Sequence, residues 1–269
     1  MVLGLSSFAY GWTVGTEPDS PRLSAMDLIE RTCSYGLKCL QVGDNVPLHM
    51  STSGTLKELK AFALKNNIRL EVGARKLTED HLQRYLEITR FLEAPLLRFV
   101  VDGHGYEPSA NAIVSILKNI LSELKKSGIT LGIENHDRFK AKELAVMIEG
   151  VADENVGVCL DCVNSIGAGE GLEWVADILA PYTVNLHIKD FSIRRVSNNM
   201  GFTVTGAQAG TGMLNLPWLM EKLEQYGRCC SAVLEQWVPA ETNPDKTIEK
   251  ENNWAEKGIA YLKQLEYFT

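Results

Sequence analysis

Eight short apolar runs, each followed by a stretch with helical periodicity, limit what this chain can become more than any other feature of the sequence. Regular alternation of strand and helix builds parallel strands joined by right-handed crossovers. Eight repeats favour closure into a (β/α)₈ TIM barrel, an α/β fold, over an open sheet. The chain has 269 residues with 45% apolar content, close to the roughly 250 residues of one such barrel. No Pro/Ser-rich or charge-block linker divides it, so residues 1–269 read as a single domain. An open Rossmann or flavodoxin-like sheet would want a phosphate-cradling G-x-G-x-x-G after the first strand, and Gly4-Leu-Ser-Ser-Phe8 does not supply it.

The spacing predicts strands at 2–9, 37–42, 68–73, 96–101, 129–134, 156–161, 183–189 and 230–236. Helices are predicted at 24–35, 55–66, 78–92, 109–127, 142–149, 172–179, 216–226 and 244–264. Between the last two βα units lies Asp190 to Met213, the longest stretch without a clear period, with Arg194-Arg195 and a Gly-rich run from Gly206 to Gly212. Its glycines predict a mobile lid over the barrel mouth.

Composition excludes several functions. With 27 basic and 34 acidic residues the net charge is −7, which disfavours nucleic acid as the main partner. The N-terminus lacks the basic region and long apolar core of a signal peptide, and no apolar run approaches the roughly 20 residues needed to span a bilayer. A cytoplasmic protein with no membrane partner is expected, and self-association into a homo-oligomer is left open. Six cysteines are too sparse for a disulfide scaffold. Cys159 and Cys162 stand three apart in a strand context, which turns them to opposite faces and argues against a joint zinc or redox site. The other cysteines read as small buried hydrophobes.

The chemistry concentrates where four apolar runs end. In Ile129-Thr-Leu-Gly-Ile-Glu-Asn-His136, alternation puts Thr130, Gly132 and Glu134 on one face. Val156-Gly-Val-Cys-Leu-Asp161, Thr183-Val-Asn-Leu-His187 and Ser231-Ala-Val-Leu-Glu235 repeat the design. A TIM barrel builds its active site at the C-terminal strand ends, so consecutive strands bring Glu134, Asp161, His187 and Glu235 together. Three carboxylates in one place repel unless a cation lies between them. One divalent metal ion answers that, and an oxygen-rich set with one nitrogen suits Mn²⁺ first, then Mg²⁺ or Co²⁺, with Zn²⁺ allowed.

Gly-Ile-Glu134-Asn-His, Leu-Asp161-Cys-Val-Asn164, Leu-His187-Ile-Lys-Asp190 and Leu-Glu235-Gln resemble the motifs of the xylose isomerase-like TIM-barrel superfamily of sugar isomerases and epimerases. The resemblance covers nearly the whole chain and is specific to the superfamily, not to a substrate. It implies that Glu134, Asp161, His187 and Glu235 hold the metal, and that Glu134 and Glu235 are also the catalytic proton-transferring pair on opposite faces of a small carbohydrate. The chain departs at Asn164, where ketose epimerases and endonuclease IV commonly have a histidine, and this argues against the extra metals of the nuclease.

Lys189 returns to the inward face as an electrostatic clamp on a substrate oxygen. Further substrate-contact candidates are Asn164, His136, Trp12 with its neighbour Tyr10 on the first βα loop, and Glu71 and Arg98 on adjacent strands. The last two read alternatively as a buried ion pair with each other. The expected activity is a metal-dependent isomerase or epimerase of a small sugar or hydroxy-ketone, working through a metal-stabilised enediolate. The alternative keeps that enediolate and makes a dehydratase or lyase of a keto-sugar or keto-inositol. A non-catalytic sugar-binding barrel and an endonuclease are the remaining readings.

Overall fold

The computed structural model describes residues 1–15 and 22–268. Strands β1 (Val2–Ser6), β2 (Cys39–Val42), β3 (Arg69–Arg75), β4 (Leu96–Val100), β5 (Thr130–Glu134), β6 (Val156–Asp161) and β7 (Thr183–Ile188) come first. They are followed by β8 (Phe191–Arg195), β9 (Phe202–Gly206) and β10 (Ser231–Leu234). All but β8 and β9 form one closed parallel barrel in the order β1-β10-β7-β6-β5-β4-β3-β2. Its helices are α1 (Gly11–Val14), α2 (Ala25–Ser34), α3 (Ser53–Lys65), α4 (Glu79–Phe91) and α5 (Ala110–Ser127), then α6 (Ala141–Val151), α7 (Leu172–Leu179), α8 (Leu216–Glu224) and α9 (Pro244–Leu262). The expected TIM barrel is therefore present, with strand ends that differ from the sequence pattern by a few residues. At the first strand the difference is larger, because Ser6 accepts from the Phe8 backbone N–H and turns Ser7–Tyr10 into a 3₁₀ helix.

The apolar faces of the strands, with Leu3, Leu5, Leu40, Val72, Leu97, Phe99, Leu131 and Leu186, are buried in a core that also takes in the helices. The helices start where the sequence signals them. Ser24 caps α2 by accepting from the Asp27 backbone N–H, while the Asp27 carboxylate accepts from the Ser24 N–H in return. Gly128 ends α5 in the left-handed region at φ 64°.

The barrel interior is unusual. Barrel interiors of this fold are dominated by bulky branched apolar residues. Here Gln41, Glu71, Asn185 and Ser231 bond to one another across the middle layer. Above it, Arg98 stands in register with Gly73 on one side and Gly132 on the other. A Cβ on Gly73 would lie 2.9 Å from the Gly43 Cα, so the glycine is required by the close approach of that backbone.

The stretch without a period is an antiparallel hairpin, β8 with β9. Asp190 holds its base. One carboxylate oxygen accepts from the Phe191 and Leu214 N–H groups at 2.8 and 3.0 Å, and the other from Gly210 and Gly212 at 3.0 and 2.9 Å. The glycines of 206–212 thus let the backbone close around a buried carboxylate. Exposure is greatest at the far end, where Met200 is 88% exposed. The period is absent because each strand of the hairpin is short and largely exposed on both faces.

Removing this anchor strands four backbone donors. Asp190→Ala should cost about 3 kcal/mol of stability, and hydrogen exchange should rise across 206–214 while the barrel strands keep their protection. Unchanged protection there would show that the loop closes without the carboxylate.

Candidate active site

Glu134 and Asp161 are the last residues of β5 and β6, His187 lies one residue before the end of β7, and Glu235 directly follows β10. All four are buried at the same end of the barrel. The imidazole is their centre. His187 Nδ1 lies 3.3 Å from Glu235 Oε1, 3.5 Å from Glu134 Oε2 and 3.9 Å from Asp161 Oδ2. None of these approaches is a hydrogen bond, and among the described residues both His187 Nδ1 and Asp161 Oδ2 are buried without a hydrogen-bond partner. The other ring nitrogen, Nε2, is 2.7 Å from Gln41 Oε1 and donates to it. In the neutral ring Nδ1 therefore carries the lone pair, at the point where three carboxylates converge.

Each carboxylate is turned by its surroundings. Asp161 Oδ1 accepts from the backbone N–H groups of Val163 and Asn164 at 2.7 and 2.9 Å, which leaves Oδ2 facing the site. The amide of Asn135 grips the Asp161 backbone on both sides, accepting from its N–H at 2.7 Å and donating to its carbonyl at 3.0 Å. Glu134 Oε2 accepts from Arg98 Nε, and Oε1 from Asn164 Nδ2 at 2.8 Å. Glu235 Oε1 accepts from Ser6 Oγ at 2.8 Å, and Oε2 lies 3.0 Å from Lys189 Nζ. Lys189 also approaches Asp161 Oδ2 at 2.6 Å, at an angle that makes an ion pair without a hydrogen bond.

Burial opposes every charge here, and the neighbours decide. Burial pushes the Glu235 carboxyl up, but His187 and Lys189 hold it well below the usual carboxylate range. Burial pulls the Lys189 ammonium down, and Asp161 and Glu235 raise it above the ordinary lysine value. His187 is drawn down by burial and raised further by Glu235 and Glu134, for a net upward shift. Arg98 stays charged between Glu134 and Asp44, which lies 2.6 Å from its Nη1 and is shared with Arg75 at 3.1 Å.

This donor set fits a divalent ion. One imidazole nitrogen without a hydrogen-bond partner and three carboxylates converge, and Glu134, Asp161, His187 and Glu235 would hold it. Cys159 also comes within ligand reach of Glu134 and His187. Its thiol, however, donates to Asn185 Oδ1 at 3.1 Å, and burial pushes its pKa well up, so it is no thiolate ligand.

The remaining candidates divide. Lys189, Asn164 and Arg98 stand among the four. His136 is at the rim, its Nε2 3.4 Å from Arg75 and its Nδ1 3.3 Å from Asp137. Trp12 is 38% exposed, and its indole N–H donates to the Val238 carbonyl in the loop after β10. Tyr10 offers no stacking face, since it is buried with its hydroxyl on Tyr35 and its ring under Arg31. Glu71 does not pair with Arg98. The barrel's stagger sets Arg98 opposite Gly73, two residues beyond Glu71, and Glu71 binds Arg69 at 2.7 Å and Gln41 at 3.2 Å. It lines a cavity of about 450 Å³ with Pro95, Thr130 and Arg228, away from the strand ends. Cys230 is exposed, against the reading of the cysteines as uniformly buried. Sequence reasoning missed Gln41, Asp44, Ser6 and Asn185, for which the signal is a polar residue inside an apolar strand or just beyond one.

A proton and a metal ion compete for His187 Nδ1. Because that imidazole is shifted upward, metal affinity should weaken as pH falls, starting above the ordinary histidine value of about 6.5. Titration of the metal-free protein with Mn²⁺ at a series of pH values measures this. Saturating ion at 100 times its Kd should add about 2.7 kcal/mol of stability.

Residues 34–265 match the family model described as xylose isomerase-like TIM barrel. The chain is 29% identical over 262 residues to 3-oxo-isoapionate decarboxylase of Pectobacterium atrosepticum, covering 97% of this chain and 95% of that protein. In structure it is similar to D-psicose 3-epimerase from Clostridium cellulolyticum, with a TM-score of 0.72 and 16% identity over 98% of this chain and 99% of that one. It is also similar to a xylose isomerase-like TIM-barrel protein of Mycobacterium smegmatis in complex with magnesium, with a TM-score of 0.70 and 12% identity over 97% and 96%. The chain belongs to the xylose isomerase-like TIM-barrel family.

Proposed function

We propose that the protein is a divalent-metal-dependent lyase that removes the carboxyl group of a small sugar-derived 3-oxo acid. The observation that carries this reading is the charge balance of the site. Glu134, Asp161 and Glu235 face Lys189 and Arg98, while Asp44 and Arg75 offset each other, which leaves one negative charge in excess. A divalent ion turns that into one positive charge in excess, and one substrate carboxylate neutralises it. A neutral ketose would leave it uncompensated.

Bond chemistry agrees. In a 3-oxo acid the carbonyl lies β to the carboxylate, so the electron pair of the breaking C–C bond flows to the carbonyl oxygen, releasing carbon dioxide and giving an enolate that takes a solvent proton at carbon. A divalent ion at the four ligands supplies the Lewis acidity that stabilises negative charge on that oxygen. Lys189 Nζ, held charged by Asp161 and Glu235, adds a second positive group for the developing oxyanion. No base has to remove a proton from carbon. That suits Glu235, whose basicity His187 and Lys189 suppress, and Glu134, which Arg98 and Asn164 occupy. The decarboxylase relative, which covers nearly the full length of both chains, supports the same class.

A second reading, epimerisation or isomerisation of a keto-sugar, draws on Glu134 and Glu235 flanking His187 Nδ1 at 3.5 and 3.3 Å, as a two-base pair would. It requires both to give up their present partners.

Metal-reconstituted protein in heavy water, offered a panel of 3-oxo sugar acids and free ketoses, separates the two. Carbon dioxide release with one solvent deuterium in the product is expected. Inversion of a ketose with deuterium at the inverted carbon and no gas would overturn decarboxylation in favour of the second reading. Lys189→Met should bind the ion more tightly, because a competing cation has gone, yet turn over about 10²–10³-fold more slowly; equal turnover would remove the clamp from the mechanism.

A further inference from the structure

We infer that a buried relay of Arg69, Glu71 and Gln41 fixes the tautomer of His187 and thereby sets the metal affinity of the site; the inference rests on the metal-binding part of the proposed function. Gln41 is 1% exposed and His187 fully buried. The ring nitrogen Nε2 can only donate to Gln41 Oε1 if the amide is turned with its oxygen toward the ring. That orientation is not set by His187. It is set from below, where Gln41 Nε2 donates to Glu71 Oε2 at 3.2 Å and to Asn185 Oδ1 at 3.0 Å.

Both of those acceptors are themselves fixed. Asn185 shows its oxygen to Gln41 because its amide nitrogen donates to the Ser231 hydroxyl and carbonyl at 2.9 and 3.2 Å. Glu71 is a carboxylate tied to Arg69 Nη2 at 2.7 Å, and a carboxylate offers only acceptors. An amide flip would bring Gln41 Oε1 against two acceptors and its NH₂ against the ring. The order arginine, carboxylate, amide, imidazole therefore has one polarity, with Nε2 protonated and Nδ1 bearing the lone pair. Glu71 and Gln41 are positioning residues, acting through His187.

A solely structural role would also account for a satisfied buried network, so the test needs a readout that stability does not move. Partners that orient a ligand imidazole typically alter metal affinity by about 10–100-fold. The near-isosteric Glu71→Gln lets the amide at position 41 turn either way. It should weaken Mn²⁺ binding by about that factor, measured by competition with a chelating dye on the metal-free protein. In ¹⁵N-resolved NMR of the same protein, at a pH high enough for the ring to be neutral, the His187 signal should change from Nε2-protonated to a mixture. Gln41→Met, which takes the acceptor away from the ring altogether, should weaken Mn²⁺ binding and mix the tautomers in the same way. Unchanged Mn²⁺ affinity and tautomer in E71Q or in Q41M would overturn the relay. Failure of the unmodified protein to bind Mn²⁺ would instead sink the metal reading itself.

Discussion

Three carboxylates buried around one imidazole are the constraint to which the upper half of this barrel answers. Carboxylates this close raise one another's pKa and resist burial. The protein offsets that with Lys189 between Asp161 and Glu235 and with Arg98 on Glu134. The cations do not consume the donors, since His187 Nδ1 and Asp161 Oδ2 stay without hydrogen bonds. A divalent ion would enter a place already shaped by charge, and on the proposed function the surplus it creates would favour an anionic substrate.

The same demand explains the interior below. An apolar middle layer would pack more simply, and a buried polar group needs its partners to avoid a cost of about 1–3 kcal/mol. Gln41, Glu71, Asn185 and Ser231 satisfy one another across β2, β3, β7 and β10, and the top of that network is His187. The polar layer is thus better understood as support for the ligand than as part of the hydrophobic core.

Much of this was legible in the sequence, for reasons that also mark the limit. The barrel follows from eight repeats, and Glu134, Asp161, His187 and Glu235 could be grouped because consecutive strands of a barrel are neighbours and alternation fixes the face. Contacts that cross the barrel carry no such rule. Gln41 meets His187 across 146 positions, and nothing local in Cys39-Leu-Gln-Val42 announces it. The pairing expected between Glu71 and Arg98 failed on stagger, a property of closure that alternation alone does not encode. Asp190 was visible as part of a His-x-Lys-Asp motif, yet its role depends on a loop that returns more than twenty residues later.

That loop gives the architecture a separable part. His187, Lys189 and Asp190 fall within four consecutive positions, the first two serving the site and the third closing the base of the hairpin. Because the base is locked by a carboxylate on backbone N–H groups, the outer residues of β8 and β9 can change in length and character without moving the histidine or the lysine. The hairpin is thus a segment whose own shape is uncoupled from the placement of His187 and Lys189.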